Sequence, residues 1–202
     1  SNRTQYEAGS ATYAYTIANN SNRLQTVSGP ITKNYTYDAA GNPKSDGQTT
    51  FTWNAGGKLA STLRSGKIHT YKTNAFDQRI SKHGPLSQRF FFFYDSTGQL
   101  IGEYRNNAET TTPTDDWLVR QETVWLGDIP VAVIKKPTAT STIQLYYVYA
   151  DHLNTPRVIV NSRNTTIWRW DNVHAFGANL PFEDPDNDGQ TFEYNSRFPG
   201  QY

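Results

Sequence analysis

The chain has 202 residues, of which 36% are apolar, 14% aromatic and 18% charged, with net charge +1 and neither Cys nor Met. The aromatic share excludes wholesale disorder. The lack of Cys excludes a disulfide framework, a thiol nucleophile and cysteine-ligated zinc, and no apolar stretch is long enough to span a bilayer. Residues 1–100 hold eleven Lys or Arg against five Asp or Glu, whereas residues 101–202 hold eight against thirteen. The positive half contains no basic block, so no nucleic-acid footprint is expected. With no Met at its start, the sequence reads as a slice of a longer polypeptide.

A short pattern recurs along the first half: an aromatic strand end, Asp or Asn, two small residues, Gly and a polar residue. It occurs as Tyr37-Asp38-Ala39-Ala40-Gly41, as Trp53-Asn54-Ala55-Gly56-Gly57 and as Tyr94-Asp95-Ser96-Thr97-Gly98. A worn copy runs from Tyr71 to Ile80 around Asn74, and an earlier relic joins Tyr13-Ala14-Tyr15 to Asn22-Arg23-Leu24. Alternate aromatics place large rings on one strand face, and Asp or Asn starts a turn by accepting a backbone hydrogen bond. Gly then supplies positive φ, so each copy is expected to be a β-hairpin of roughly twenty residues. In this reading Asp38, Gly41, Asn54, Gly57, Asp95 and Gly98 set the reversals, while Tyr37, Trp53 and Tyr94 stack between hairpins. The Phe90-Phe91-Phe92-Phe93-Tyr94 run alternates faces, so both faces of that strand are expected to be covered, by the chain itself or by apolar cargo.

Further strands are expected over 119–126, 131–134, 143–149, 157–160 and 165–170, separated by turn residues, and no helical period holds over ten residues. The 110–116 stretch reads as a mobile loop. The expected class is all-β: antiparallel hairpins over 1–112, then a second segment over 113–202, in one curved, open sheet.

These residues resemble a known family. Tyr-Asp-x-x-Gly hairpins at this spacing are similar to the YD repeats of the bacterial Rhs family. The stretches Glu122–Ala132 and Tyr147–Arg157 resemble the start of the Rhs repeat-associated core. Trp168-Arg169-Trp170-Asp171, Ala175-Phe176-Gly177 and Arg197-Phe198-Pro199-Gly200-Gln201-Tyr202 continue it in order. The resemblance implies a secreted or cell-surface bacterial β-shell that encloses a C-terminal toxin for delivery to competing cells. Its implied partners are the rest of the Rhs polypeptide, the toxin domain and a secretion-system component. Open sheet edges would also allow self-association. The match stops before the elements of the family's aspartate-dependent self-cleavage, so the expected role is structural, not enzymatic.

Candidate chemistry elsewhere is sparse. Asp184, Asp186 and Asp188 with Gly189 have the opening spacing of a calcium loop, but Asn195 stands at the twelfth position, where a bidentate Glu belongs. The alternative is a solvated acidic turn. Asp151-His152 could be read as an acid–base pair, but neighbours on a strand point to opposite faces, and the structural reading is preferred. His69, His83 and His174 show no metal-ligand spacing. Glu183 with Asp184, or Asp115 with Asp116, could be read as glycosidase carboxylates, and Trp117, Trp125, Trp168 and Trp170 as sugar platforms. The alternative function is therefore a surface adhesion or glycan-binding module, with a free-standing glycosidase ranked last.

Overall fold

The computed structural model describes residues 2–85, 89–106, 117–138, 140–173, 177 and 179–198. It is all-β, with seventeen strands among the described residues. Among the described residues no helix is long and apolar enough to cross a membrane. The expected loop at 110–116 and the segments at 174–176 and 199–202 lie outside the described residues. The chain divides into two compact units, Ser1–Leu86 and Ser87–Tyr202.

The first unit opens with a four-stranded antiparallel sheet of β1 (Gln5–Ala8), β2 (Ala11–Ile17), β3 (Leu24–Ser28) and β4 (Lys33–Asn34), paired in chain order. A second row follows, also in chain order: β5 (Thr36–Tyr37), β6 (Pro43–Ser45), β7 (Thr49–Trp53), β8 (Leu59–Arg64), β9 (Lys67–Thr73) and β10 (Arg79–His83). Burial along β2 and β7 alternates strictly between half-buried and exposed, as a two-residue period requires. Gly29 is demanded by its surroundings. Its φ is +128°, and a Cβ there would lie 2.3 Å from the Thr12 carbonyl oxygen.

One buried charge ties the two rows of this unit together. The Asp46 carboxylate, in a residue 4% exposed, pairs with the Lys33 ammonium of β4. It also accepts the backbone amides of Gln48 at 3.0 Å and Thr49 at 2.7 Å, while its carbonyl accepts Asn34 N at 3.0 Å. Burial alone would raise this carboxyl. The bonds from Lys33, Thr49 and Gln48 together outweigh that and hold it at about 2.

The second unit contains β11 (Arg89–Tyr94), β12 (Leu100–Asn106), β13 (Leu118–Leu126), β14 (Ile129–Lys135), β15 (Gln144–Ala150), β16 (Pro156–Val160) and β17 (Thr166–Arg169), paired in chain order and all antiparallel. Its main aromatic cluster lies on one face. Thr123, Val133 and Tyr146 face one another across three strands, as do Val148, Ile159 and Trp168. That face is buried beneath Phe192 and Tyr194 from the returning chain. The opposite face carries Val124, Ala132 and Tyr147 in register, and Val124, Leu126, Leu145, Tyr147 and Tyr149 are exposed there. The Phe run splits unevenly. Phe92 is buried, whereas Phe93 is 50% exposed and meets the Tyr104 ring edge-to-face at 5.3 Å. The described part of the chain therefore covers Phe92 and leaves Phe93 half exposed.

Asp46 generates a signed prediction. Its folded pKa lies below its unfolded value, so its contribution is complete above the unfolded pKa and is lost as pH falls from about 4 towards 2. The Asp46→Asn variant should lose about 1–3 kcal/mol at neutral pH and show a flatter stability profile across that window in urea titrations. An unchanged profile would remove Asp46 from the link.

Candidate functional site

Among the described residues, six reversals share one hydrogen-bond pattern. An Asp or Asn donates its backbone N–H to the carbonyl four residues on, and its own carbonyl accepts the amide three residues on. The first of these bonds measures 2.9 Å at Asp38, Asn54, Asn74 and Asp151, and 3.0 Å at Asp95 and Asn161. The side-chain oxygen then accepts the amide four residues on. These bonds run from Asn42 (2.8 Å), Lys58 (2.9 Å), Gln78 (3.0 Å), Gln99 (2.9 Å), Thr155 (3.1 Å) and Thr165 (3.0 Å). The residue before that amide always has positive φ: Gly41, Gly57, Asp77, Gly98, Asn154 and Asn164. Gly reaches this region without a Cβ clash, while Asn and Asp tolerate it through local hydrogen bonding.

Every copy also carries a bulge at the same place. The residue before the Asp or Asn pairs with the one five beyond it, and the next pair skips a residue, as in Trp53 with Leu59 followed by Thr52 with Ser61. The skipped residues are Lys44, Ala60, Ile80, Ile101, Arg157 and Ile167. A bulge increases local twist, so the turn fixes both reversal and coiling.

The charge on the turn acids is supported locally. A side-chain bond from Asn42, followed by the Asn42 amide, holds Asp38 below the ordinary carboxylate range. The Thr97 hydroxyl, then the Gln99 amide, does the same for Asp95. Aromatic residues lock one hairpin to the one before it. Tyr37 donates its hydroxyl to the Leu24 carbonyl at 2.6 Å and stacks on Tyr35, while Trp53 donates its indole N–H to the Pro43 carbonyl at 2.7 Å. Trp125 donates in the same way to Leu100 at 3.1 Å. Pro43 and Leu100 hold equivalent places, each paired with the aromatic that leads its own turn. Tyr94 is the aromatic that pairs with Leu100. Neighbouring turns are laced sideways by Lys58–Asp77 at 2.8 Å, Gln99 to Gly127 O at 2.9 Å and Asn154 to Asp128 at 2.7 Å.

Asp151 and His152 do not lie on a strand, contrary to the sequence reading. They open a turn, and Asp151 Oδ1 is committed to the Leu153 and Thr155 amides. This turn and the one at Asn161 were not read as repeats because Asn takes the place of Gly. The spacing of an Asp or Asn three residues before another Asn was the available signal.

Two of the sequence blocks meet at the end of the second unit. Trp168 and Trp170 are 0% and 1% exposed, and they pack edge-on against Tyr194 at 5.4 Å and Phe198 at 5.2 Å. The Arg197 guanidinium lies over both indoles, at 5.4 and 5.7 Å. Arg157 donates to the Asp171 carbonyl at 2.8 Å and sits 3.8 Å from the Asp151 carboxylate. Phe182 pairs with Arg169, and Phe192 N donates to Glu183 O at 2.7 Å, so the chain doubles back across the sheet. Both indoles are thus inaccessible as sugar platforms. Trp117 is 53% exposed beside Phe91.

The loop that makes this return contains Asp184, Asp186 and Asp188, whose carboxylate oxygens come within 4.8 Å of one another. Asp184 accepts the amides of Asp188 at 3.1 Å and Gly189 at 3.2 Å, and Asn187 and Gly189 both have positive φ. These are the bonds of a tight acidic turn. Asn195 is directed towards Glu103 at 3.5 Å, away from the loop. Among the sequence-read carboxylate pairs, Asp115 and Asp116 lie outside the described residues.

No family model and no curated protein matches the chain. Solved structures similar in part include three from Tc toxin complexes. The structure of the Photorhabdus luminescens Tc holotoxin pore with a TccC3 mutation shares 18% identity over 79% of this chain, with TM-score 0.45. The TcdB2–TccC3 crystal structure shares 17% over 79%, with TM-score 0.45. The TcdB2–TccC3–Cdc42 complex shares 18% over 79%, with TM-score 0.44. This chain spans 9%, 10% and 9% of those chains.

The turn geometry separates two substitutions. Asn161→Ala removes a side-chain acceptor and should cost about 1–2 kcal/mol, whereas Asn164→Gly retains the fold and stays within about 1 kcal/mol of the parent. Chemical denaturation of both variants checks this ordering. Equal losses would contradict it.

Proposed function

We propose that this chain is a non-catalytic segment of an Rhs-type YD-repeat shell, comprising late repeats and the N-terminal part of the repeat-associated core. In this reading the shell is a secreted or cell-surface bacterial assembly that encloses a C-terminal toxin or effector for delivery to competing cells. The observation that carries the reading is the convergence of the family-like blocks. Trp168 and Trp170 from one block are clamped by Arg197 and Phe198 from another. Two further features support it. The turn pattern repeats across both units, and the exposed face with Val124, Leu126, Leu145, Tyr147 and Tyr149 offers apolar surface to an enclosed polypeptide.

The test uses the full polypeptide that carries this segment, and reads protease resistance of the domain that follows it. The parent should protect that domain. Trp170→Ala, which removes the ring gripped by Phe198 and Arg197, should expose it to cleavage while the repeat hairpins stay folded by circular dichroism. Resistance that is identical with or without the segment would overturn the enclosing role. Glycan binding that disappears on Tyr147→Ala or Tyr149→Ala would instead favour the adhesion reading.

A further inference from the structure

The tetrapeptide Asp-Gly-Gln-Thr occurs twice in the chain, at residues 46–49 in the first unit and 188–191 in the second. In both copies the aspartate Oδ1 accepts the amide two residues on, from Gln48 at 3.0 Å and from Gln190 at 2.8 Å. That bond curls the carboxyl over the peptide that follows and turns Cγ towards the glycine nitrogen. Gly has no Cβ to obstruct such an approach, and Gly47 and Gly189 both have positive φ.

The surroundings of the two copies differ. Asp46 is buried, its carboxylate is paired with Lys33 and also accepts the Thr49 amide, and its carbonyl accepts Asn34 N. A Cβ on Gly47 would lie 3.3 Å from Asn34 N, so that glycine is hemmed in. Asp188 is exposed, and among the described residues no Lys or Arg pairs with it. A Cβ on Gly189 would meet nothing within 4 Å, and its N–H is donated to Asp184 Oδ2 at 3.2 Å.

We propose that the Asp188–Gly189 peptide is a self-modification site, at which this chain closes a succinimide and opens it to isoaspartate, while the identical Asp46–Gly47 peptide is kept inert by its contacts. The lone pair of Gly189 N bonds to Cγ of the protonated Asp188 carboxyl, and the amide proton passes by way of Asp184 to the departing hydroxyl. One water leaves, and a five-membered imide remains. Water then adds to one of the two imide carbonyls. Addition at Cγ restores Asp188. Addition at the main-chain carbonyl leaves the backbone routed through Cβ and Cγ, one carbon longer, with the former main-chain carboxyl as the side group. The extra carbon enters the loop that Phe192 N closes onto Glu183 O at 2.7 Å. This site is independent of the shell reading and survives its failure.

The test holds the intact chain in mildly acidic buffer at physiological temperature for several weeks. Isoaspartate at each copy is then counted by peptide mapping with electron-transfer fragmentation, which separates the two isomers. Because the tetrapeptides are identical, any preference comes from the fold. Asp188 should convert about tenfold faster than Asp46, which reacts only when its contacts open. In guanidinium chloride the two rates should converge. Gly189→Asn tolerates the positive φ but places a side chain beside the attacking nitrogen. It should slow conversion at Asp188 and leave Asp46 unchanged. Equal rates in the folded chain, or a preference for Asp188 that persists in the unfolded one, would overturn the proposal.

Discussion

One hydrogen bond organises this fold: the oxygen of an Asp or Asn accepting the amide four residues ahead. To make it, the chain must place the third residue at positive φ, and the strand that follows must take up an extra residue. Reversal, register and twist therefore come from one local interaction, repeated at Asp38, Asn54, Asn74, Asp95, Asp151 and Asn161. At Asp38 and Asn54 the aromatic residue just before the turn adds a second link. Its hydroxyl or indole N–H reaches back to the carbonyl that follows the previous turn, as Tyr37 and Trp53 show. Such hairpins are thus built locally and tied to their predecessors by a side-chain contact in addition to the strand ladder.

The two units put this plan to different use. In the first unit the strands are thin layers, half-buried on one face and exposed on the other, with a buried ion pair joining two rows. In the second, the chain folds back over one sheet face and fills it with rings. Tyr146 meets Phe192, Trp168 meets Tyr194 and Trp170 meets Phe198, all edge-to-face. Such pairs each add about 0.5–1.5 kcal/mol beyond simple burial, which explains how a chain with few aliphatic residues holds a core. The burial of Lys135 beneath this segment, and of Tyr194 within it, has an electrostatic consequence. The amine is pushed down to about 8 and the phenol up to about 12, mainly by desolvation.

Much of this was legible in the sequence, for reasons that differ from residue to residue. The turns at Asp38, Asn54 and Asp95 announce themselves because Gly marks the positive-φ position. Those at Asp151 and Asn161 hide because Asn fills it, and that concealment led to the placement of Asp151-His152 on a strand. Alternating β-rich segments such as Val119–Leu126 were readable from period alone. The returning segment 182–198 was not, since it has neither a strand period nor a ladder. Its position follows from which aromatic side chains it delivers to Tyr146, Trp168 and Trp170, and no local pattern encodes such pairings. The acidic loop was visible as a cluster of carboxylates, yet its backbone bonds to Asp184 emerge only in three dimensions.

The equivalence of the six turns is open to direct measurement by amide hydrogen exchange, followed residue by residue with NMR. The amides of Asn42, Lys58, Gln78, Gln99, Thr155 and Thr165 each donate to the turn-opening side chain. All six should exchange more slowly than the amides of Ala39, Ala55, Ala75, Ser96, His152 and Ser162, which directly follow the turn-opening residues. Protection confined to the Gly-containing turns, with Thr155 and Thr165 exchanging as fast as His152 and Ser162, would contradict a single shared turn.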